Sequence, residues 1–525
     1  MPYILSKKTR IGFSFHPSDI AILSFLALGI VGSLRSVNIS EASTWLIRPC
    51  FWMSAFYIFK QLTRKEKKIF LYSLLLSGTI LIGYSLWQLG HTDFSRVSSY
   101  QVTGFNGHKN LLVSALLLLA GISLIAVYKN GLNKKLLWFA AIALFLTLSL
   151  FSKTGVIGSL VLIIGWFTAE FFLKNESRNL PIRPLLGSFI LTFLFIPAFF
   201  LILPLLLDLP ITMQLDSERC LLWQKSFALI VEHPILGIGV GNWHLLFPSH
   251  SLSGIYRLTD LNISFQRPHN DLLLILCETG VLGFFFFLLT PFYACLQTIK
   301  YGWNKANLIY LVLMIVVFLI LFSDFPLERP EHGLMLMYIL SAPFSVEEGQ
   351  NKTLPAIGVY VLLFYIMLVS LFRMKGEYYT KQMNDAIIAK KNHEVIRNGN
   401  CSLNIFYSLD PWSNPIHWQM GRAWMALHQS DSAYRHFRIA LNAAPFHHHL
   451  INDMGVMLFT RRQVIQAQQM FKEALRINPR FDEPALNLAR IELLSGNLLG
   501  ARQTLDTMKH DSPERSALLS QLMKK

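Results

Sequence analysis

The sequence predicts an all-α protein in which a polytopic membrane helix bundle of about eleven spans precedes a C-terminal α-solenoid. The first observation is composition: the chain is 53% hydrophobic and only 15% charged, whereas soluble proteins are about 25% charged. The second is a series of apolar runs of about 18 to 22 residues, each long enough to cross a bilayer as a helix. The third is a polar C-terminal tail with helical periodicity and an internal repeat.

The membrane domain is predicted to cover residues 1–373, with its largest extramembrane loop at 208–269. Its spans follow from hydropathy, because a long run of apolar side chains is the signal of a bilayer-crossing helix. The predicted spans lie at about residues 18–35, 44–60, 69–90, 111–128, 136–151, 155–173, 185–207, 270–298, 306–323, 332–345 and 354–373.

Lysine and arginine are concentrated in the loops on one side of these spans. The basic stretches are the N-terminus, 60–68, 129–135, 174–183 and 300–305. The positive-inside rule makes that side cytoplasmic. The loop at 91–110, the loop at 208–269 and everything after residue 373 are therefore expected on the outer side.

The net charge of +16 does not indicate nucleic acid binding. Most basic residues lie in short loops between spans and in the tail, a placement that suits loop anchoring and anionic lipid headgroups. No metal is expected, because the five cysteines form no CxxC pair. No other cofactor is expected either. His447, His448 and His449 are consecutive, so they cannot all face one ion from a single helix, and they are expected to be solvated.

The soluble tail divides at about residue 413. Residues 374–413 are interpreted as a linker or degenerate helical pair, and residues 414–525 as repeated helix pairs. Five residues recur 34 positions later: Gly421, Ala433, Phe437, Ala440 and Pro445 as Gly455, Ala467, Phe471, Ala474 and Pro479. This spacing resembles tetratricopeptide repeats, in which small residues let paired helices approach and proline ends the second helix. Such a solenoid either binds a protein partner or caps the membrane domain structurally.

The stretch from Asp216 to Gly283 is the centre of the functional hypothesis. Apolar and polar residues alternate at helical spacing over 217–232. This pattern predicts an amphipathic helix in the interface plane, with Trp223 at headgroup level. The glycine-rich run at 237–241 then favours a compact turn packed against the membrane domain, since no βαβ unit surrounds it to make a dinucleotide loop.

Cationic side chains and one imidazole are concentrated in this stretch. A planar guanidinium matches phosphate oxygens bidentately, so Arg219, Arg257 and Arg267 are candidate ligands for a diphosphate. The alternative for each arginine is headgroup contact or surface solvation. His269 follows Pro268 and opens a span, where an imidazole can accept a proton from a sugar hydroxyl at neutral pH. The alternative is a helix-capping or merely interfacial histidine.

The same stretch resembles the signature of the O-antigen ligase and polymerase superfamily. The segments that carry this resemblance are RCLLWQKSFALIVEHPILGIGVGNW and RPHNDLLLILCETGVLG. GFNGHKNLLVSALLLLA at 104–120 is similar to the family's G-x-x-x-x-x-N segment, and LFSKTGVIGSL at 150–160 is similar to its Ser-Arg-Gly segment. The resemblance covers roughly residues 15–345, and C-terminal tetratricopeptide repeats occur in some members.

The resemblance implies a multi-pass enzyme of the bacterial inner membrane. Such an enzyme moves a glycan from undecaprenyl diphosphate, at the outer face, to an acceptor hydroxyl, without a metal or a nucleotide sugar. By position, Arg219 would bind the diphosphate and His269 would activate the acceptor. Arg267 would be a second phosphate contact.

One residue departs from the family pattern. Lys153 stands where the family usually has arginine, so the positive charge remains but the bidentate fork is lost. Lys109, at the outer start of a span, and Arg257, in the long loop, complete the expected substrate-binding residues.

Several functions share these motifs. Ligase-like transfer to a lipid core, as in lipopolysaccharide biosynthesis, is favoured slightly over polysaccharide polymerisation and protein O-glycosylation. The acceptor is correspondingly a glycolipid, a growing glycan or a protein, and membrane lipids are further partners. A transporter or flippase predicts charges near the bilayer midplane and repeated halves, and neither is evident. A non-catalytic envelope scaffold predicts that changing His269 leaves envelope glycans untouched.

Overall fold

The computed structural model describes residues 11–13, 17–93, 98–129, 135–172, 217–255, 265–344, 352–354 and 357–524. The predicted span at 185–207 lies outside these residues. Within them the chain is almost entirely helical, as predicted. The exception is a two-stranded antiparallel sheet, in which β1 (Ile11–Phe13) pairs with β2 (Lys352–Leu354).

Twelve α-helices of the described chain lie between residues 17 and 388. They are α1 Pro17–Leu34, α2 Ile39–Gln61, α3 Arg64–Gly90, α4 Lys109–Lys129, α5 Lys135–Ser149, α6 Lys153–Phe172, α7 Ser217–Glu232, α8 Trp243–Leu246, α9 Asp271–Lys300, α10 Lys305–Ser323, α11 Pro330–Ser341 and α12 Ile357–Ile388.

The span count of about eleven is not confirmed. Seven of the described helices, α1, α3, α4, α6, α9, α10 and α12, are long and apolar enough to cross a membrane. Helices α5 and α11 match predicted spans in position but are short, with 15 and 12 residues. Helix α2 is long but less apolar, since it carries Glu41, Arg48 and Lys60.

The two ends of the bundle differ in their polar groups. At one end, Lys60 of α2 binds Asp19 of α1 at 3.1 Å, and both side chains are buried. Lys305 of α10 binds Glu170 of α6 at 2.7 Å at the same end. The opposite end carries His269, and α12 continues past it towards the repeats. Arg373 of α12 accordingly reaches Glu41, at the start of α2.

Helix α9 is opened partway along its length. Gly280 has φ 67° and ψ −175°, a conformation outside the helical region. The opening frees two carbonyl groups, and the chain after α7 binds them: the N–H of Ile238 donates to Cys277 at 3.0 Å and that of Gly239 to Glu278 at 3.1 Å. Irregular backbone at membrane depth requires such internal partners. The glycine-rich run is therefore a compact turn against the membrane domain, as predicted.

The repeats form paired helices after a connecting helix. The connecting helix is α13 Asn392–Ser402. The helices that follow it are α14 Ile416–Ala426, α15 Ser430–Ala443, α16 His448–Thr460, α17 Val464–Ile477, α18 Asp482–Leu494, α19 Leu498–Asp506 and α20 Pro513–Lys524. Phe437 and Phe471, the aromatic positions of successive repeats, are 0% and 1% exposed. The predicted α-solenoid is confirmed.

The repeats pack directly on the extramembrane segment between α7 and α9. The backbone N–H of Leu252 donates to the carbonyl of Ile477 at 2.6 Å, and Arg476 Nη1 donates to the carbonyl of Ser249 at 2.7 Å. One apolar cluster spans the junction, with Leu222, Leu229, Ile238, Trp243, Phe247, Leu252, Ile255 and Phe265 meeting Ile451, Ala474 and Ile477. The loop and the solenoid therefore share a core.

The prediction that the three consecutive histidines are solvated is wrong. His448 is 8% exposed, and His447 and His449 are half-buried. His447 Nδ1 accepts from the N–H of Leu450 and caps α16, while its Nε2 lies 3.0 Å from Asn414 Oδ1. The rings of Trp418 and Phe481, both in the repeats, pack against these histidines.

Candidate functional site

His269 is held in an unusual backbone conformation just before α9. Its φ is +53°, a left-handed value that few non-glycine residues adopt and that is often found at functional sites. The next residue, Asn270, caps α9 by accepting from the N–H of Leu273 at 2.9 Å. On the other side, the Trp223 indole of α7 donates to the carbonyl of Pro268 at 2.8 Å. Both neighbours of His269 are thus fixed.

The imidazole of His269 faces a buried carboxylate. Its Nδ1 lies 3.4 Å from Oδ1 of Asp324, the residue that ends α10. Asp324 is only 1% exposed, and burial alone would raise its pKa. The hydrogen bond with His269 and the electrostatic interactions with His269, Arg219 and His108 lower the pKa of Asp324 below its ordinary value instead. The Asp324 side chain is therefore a carboxylate at neutral pH.

The segment that carries Asp324 is fixed to the start of α9. The backbone N–H of Asp271 donates to the carbonyl of Asp324 at 3.2 Å. In return, the Asp271 carboxylate accepts from the backbone N–H of Leu327 at 2.9 Å. These bonds hold Asp324 and His269 in register, because they connect the two short chain segments that carry the pair.

Arg219 lies beside this pair, in the first turn of α7. Its Nη1 donates to the carbonyl of Ser323 at 3.2 Å. Ser323 immediately precedes Asp324, and the Arg219 charge contributes to the lowered pKa of that carboxyl. The amphipathic helix predicted at 217–232 thus brings its first arginine to the histidine that follows the long loop.

The ring of Phe325 is the common contact of the cluster. The His269 ring packs edge-on against it with centroids 5.1 Å apart, and the Arg267 guanidinium lies 5.4 Å from its centroid. The ring of His108, at the start of α4, lies 6.4 Å away. Burial lowers the pKa of His108, as do the charges of Arg219 and Lys109 and the interaction with His269, although Asp324 opposes them. His108 is therefore neutral at neutral pH.

Arg267 belongs to an ion-pair group of its own. Glu328 pairs with Arg267 and also with Arg48 of α2, whose Nη2 lies 2.9 Å from the same carboxylate oxygen. Burial lowers the pKa of Arg267 to about 9, so the side chain is still cationic at neutral pH. Two arginines share one carboxylate, which leaves the group with a net positive charge.

The other predicted substrate-binding residues are Lys109, Lys153 and Arg257. Lys109 is 3% exposed, lies 3.5 Å from the centroid of the Tyr100 ring and donates to Ser99 Oγ at 3.1 Å. Lys153 is exposed at the start of α6. Its neighbour Ser152 donates to Asn110 of α4 at 3.3 Å, so α4 and α6 begin side by side. Arg257 lies outside the described residues.

The sequence prediction gave no role to Asp324 or Phe325. Asp324 is recognisable in the sequence as a charge that ends an apolar run, but its partner is 55 positions earlier. Phe325 follows it and carries no chemical signal of its own. Within the described part of the chain, no group of three His, Cys, Asp or Glu side chains is placed to hold a metal ion.

Comparison with known families agrees with this architecture. Residues 135–288 match the O-antigen ligase family, and residues 458–525 match a tetratricopeptide repeat family. No curated protein matches the chain at a significant level. Arg219, Arg267 and His269 lie inside the first matched region, whereas Asp324 lies beyond it. The matches confirm the resemblance: residues 135–288 of the membrane part are similar to the O-antigen ligase family, and the C-terminal end is similar to tetratricopeptide repeats.

Proposed function

We propose that the protein transfers a glycan from undecaprenyl diphosphate to an acceptor hydroxyl at the outer face of the bacterial inner membrane. The observation that carries this proposal is the pairing of His269 with Asp324 beside Arg219. The match to the O-antigen ligase family supports glycan transfer as the general activity. The donor, the face of the membrane and the acceptor are the parts we propose.

His269 is the general base of the proposed reaction. With Nδ1 turned to the Asp324 carboxylate at 3.4 Å, the proton of the neutral ring resides on Nδ1 and leaves Nε2 as the acceptor. Nε2 then takes the proton of the attacking hydroxyl, and the Asp324 carboxylate stabilises the imidazolium that forms. A carboxylate that orients a histidine and stabilises its charged form has this role in other acid–base catalysts.

Arg219 stabilises the leaving group. As the bond between the anomeric carbon and the diphosphate oxygen breaks, negative charge grows on the diphosphate. A preorganised cation offsets that charge most effectively where water is largely excluded. The Ser323 carbonyl fixes the Arg219 guanidinium at one edge of the site, and the Arg267–Glu328–Arg48 group adds positive charge nearby.

The stereochemical outcome follows from this arrangement. The acceptor oxygen forms its bond to the anomeric carbon on the face opposite the departing diphosphate, in a single displacement. The proton passes to His269 Nε2, and the diphosphate leaves with the electron pair of the broken bond. The configuration of the anomeric carbon is therefore inverted.

The charge distribution of the bundle supports an outer-face reaction. Lys60 and Lys305 lie at the end opposite His269, and the positive-inside rule assigns lysine-rich ends to the cytoplasm. His269 and the repeats are then on the outer side. We favour a glycolipid acceptor, as in O-antigen ligation; a growing polymer or a protein would present the same hydroxyl to His269.

A complementation experiment tests the proposal. Cells that lack their own copy receive wild type, His269→Ala, Arg219→Ala or, as a matched control, His393→Ala, which alters an exposed histidine of α13. Acceptor glycan and lipid-linked glycan are quantified, with membrane insertion checked in parallel. We expect the first two variants to lose acceptor glycan and accumulate lipid-linked donor, while His393→Ala resembles wild type. Normal acceptor glycan in a correctly inserted His269→Ala protein contradicts the proposal.

A further inference from the structure

A large cleft separates the repeats from the extramembrane segment on which they pack. It encloses about 490 Å³, within the roughly 300–1,000 Å³ of typical ligand sites. One wall consists of residues of the segment between α7 and α9, including Phe265. The other wall consists of Trp412, in the linker just before α14, and of repeat residues that include Trp418.

The lining combines aromatic rings with hydrogen-bonding groups. Trp412 is 58% exposed and presents a large apolar surface to the cleft, whereas Trp418 is buried in its wall. Asp453 accepts from the Trp418 indole at 2.8 Å, and the carboxylate of Glu483 lines the same wall. Pyranose rings have apolar faces that pack on aromatic rings and hydroxyl edges that donate to carboxylates. The lining therefore has the chemistry of a saccharide site.

The charges of the cleft select against an anionic ligand. Arg422 lies 3.7 Å from Asp453 and 5.4 Å from the centroid of the Trp418 ring. Its charge is thus already balanced by Asp453, which leaves Glu483 as an additional negative charge. A phosphate or uronate would be repelled here, and uncharged sugar residues are favoured.

The cleft adjoins the candidate active site at Phe265. Phe265 lines it, and the Phe265 ring packs edge-on against the His269 ring with centroids 6.2 Å apart. A glycan whose reacting end is at His269 can therefore extend along Phe265 into the cleft. The cations that suit a diphosphate lie at other residues: Arg267 is at the Phe325 ring, and Arg219 is at the Ser323 carbonyl.

We propose that the tetratricopeptide repeats and the segment between α7 and α9 together form a subsite for uncharged sugar residues of the transferred or accepting glycan. This inference rests on the proposed function, because His269 gives the cleft its link to the reaction. It also places the repeats in the substrate site. Part of the surface of the repeats is already covered by the chain's own loop, through the apolar cluster of the junction.

The test measures saccharide binding without requiring turnover. Full-length protein in lipid nanodiscs is titrated, by saturation-transfer NMR, with two probes. One is the oligosaccharide released by mild acid from the accumulated lipid-linked donor, and the other is the glycan released from the acceptor fraction. The variants are Trp412→Ala and Glu483→Gln. Tyr378→Ala, which removes an exposed aromatic ring of α12 outside the cleft, is the matched control.

We expect Trp412→Ala to weaken binding of one probe by about tenfold, with Tyr378→Ala equal to wild type and binding retained in His269→Ala. The probe that responds identifies the source of the sugar. Equal affinity in Trp412→Ala and Tyr378→Ala overturns the inference, as does a photocrosslinker at position 412 that captures a protein without competition by either probe. If Trp412→Ala does not fold, unchanged affinity in Glu483→Gln overturns it.

The two proposals fail in different ways. If His269→Ala loses transfer and both cleft variants bind saccharide as wild type does, the subsite proposal is refuted and the transferase proposal is kept. Persistent transfer in His269→Ala removes the transferase, and with it the reason to connect the cleft to the reaction.

Discussion

Asp324 and His269 come from two different helix ends, and the geometry that joins them involves both backbone and side chain. The carboxylate faces Nδ1 at 3.4 Å, and the carbonyl of the same aspartate accepts from the N–H of Asp271, two residues after the histidine. The backbone bond keeps the start of α9 at the end of α10, so the imidazole and the carboxylate stay within reach of each other. A base that is held in this way loses little orientational freedom when the acceptor binds.

The first prediction concerns the carboxylate. Asp324→Asn keeps the shape but removes the charge that stabilises an imidazolium, so we expect transfer to fall by roughly 10²–10⁴-fold. KM for the donor should change little, because the charge is needed only as the proton moves. The measurement is the steady-state rate with purified lipid-linked donor. Asp431→Asn, at an exposed carboxylate of α15, serves as control. A rate equal to the control would show that Asp324 has only a structural role.

The second prediction separates charge from geometry at Arg219. Arg219→Ala should lower the transfer rate by roughly 10²–10³-fold, the loss typical of one electrostatic contact to a developing anion. Arg219→Lys keeps the cation but not the planar fork, so it should recover part of the rate. The comparison requires the same donor and a check of folding by size-exclusion chromatography. If the two variants lose equal activity, the bidentate geometry is essential; if neither loses any, Arg219 does not contact the diphosphate.

The third prediction concerns the opening of α9. A Cβ added at Gly280 would lie 2.3 Å from the carbonyl oxygen of Ile235. The backbone at Gly280 also has a positive φ, a conformation that residues with a side chain rarely adopt. Gly280→Ala should destabilise the protein by at least 1–3 kcal/mol, in rough terms, through strain alone, with a lower Tm in a thermal scan. Gly302 also has a positive φ, but no atom lies close to the position of an added Cβ. Gly302→Ala therefore measures the backbone strain without the contact to a neighbouring residue. Equal Tm shifts in the two variants would mean that the contact with Ile235 is unimportant.

The fourth prediction is a loss of stability of the repeats in acid. Burial lowers the pKa of His447 to about 3, and lowers those of His417 and His449 to about 4, whereas their ordinary value is 6.5. Below the ordinary value the unfolded chain binds protons that the folded chain does not, so stability falls as the pH drops from 6.5 towards 4. Thermal scans at pH 7, 6, 5 and 4 should show Tm decreasing in that order.

A variant controls for general acid effects on the protein. His417 and His436 lie with their Nδ1 atoms 2.9 Å apart, an arrangement that tolerates at most one proton between the rings. Replacing both by glutamine removes two of the titrating groups and should reduce the slope of Tm against pH. An unchanged slope would place the acid sensitivity elsewhere in the chain.

Much of the fold is legible from local patterns. The 34-residue recurrence predicts the solenoid because each repeat must bury Phe437 or its counterpart Phe471 against the neighbouring helix. The alternation over 217–232 predicts α7 because one face of that helix, with Leu222 and Leu229, is buried. Both signals lie within single elements, where sequence periodicity reports burial directly.

The remaining features depend on which elements meet. Nothing local to Asp324 indicates that it faces a histidine 55 residues earlier, because that contact follows from the packing of α9 on α10. Arg267 has the composition of a phosphate ligand, yet its observed partner is Glu328, and Arg48 of α2 joins them. The burial of His448 likewise depends on a neighbouring element, because its ring packs against Phe481, which precedes α18.

The shared core between the loop and the repeats has a consequence for how such a chain can change. In sequence the repeats follow the membrane helices as a separable appendage, but Ile451 and Ile477 fill the same apolar cluster as Leu252 and Ile255. A chain cut after residue 373 would expose that surface to water, and repeats taken from another protein would meet it without matching shape. The loop and the solenoid can therefore be replaced only together. Substitutions on one side of the junction are constrained by the residues on the other.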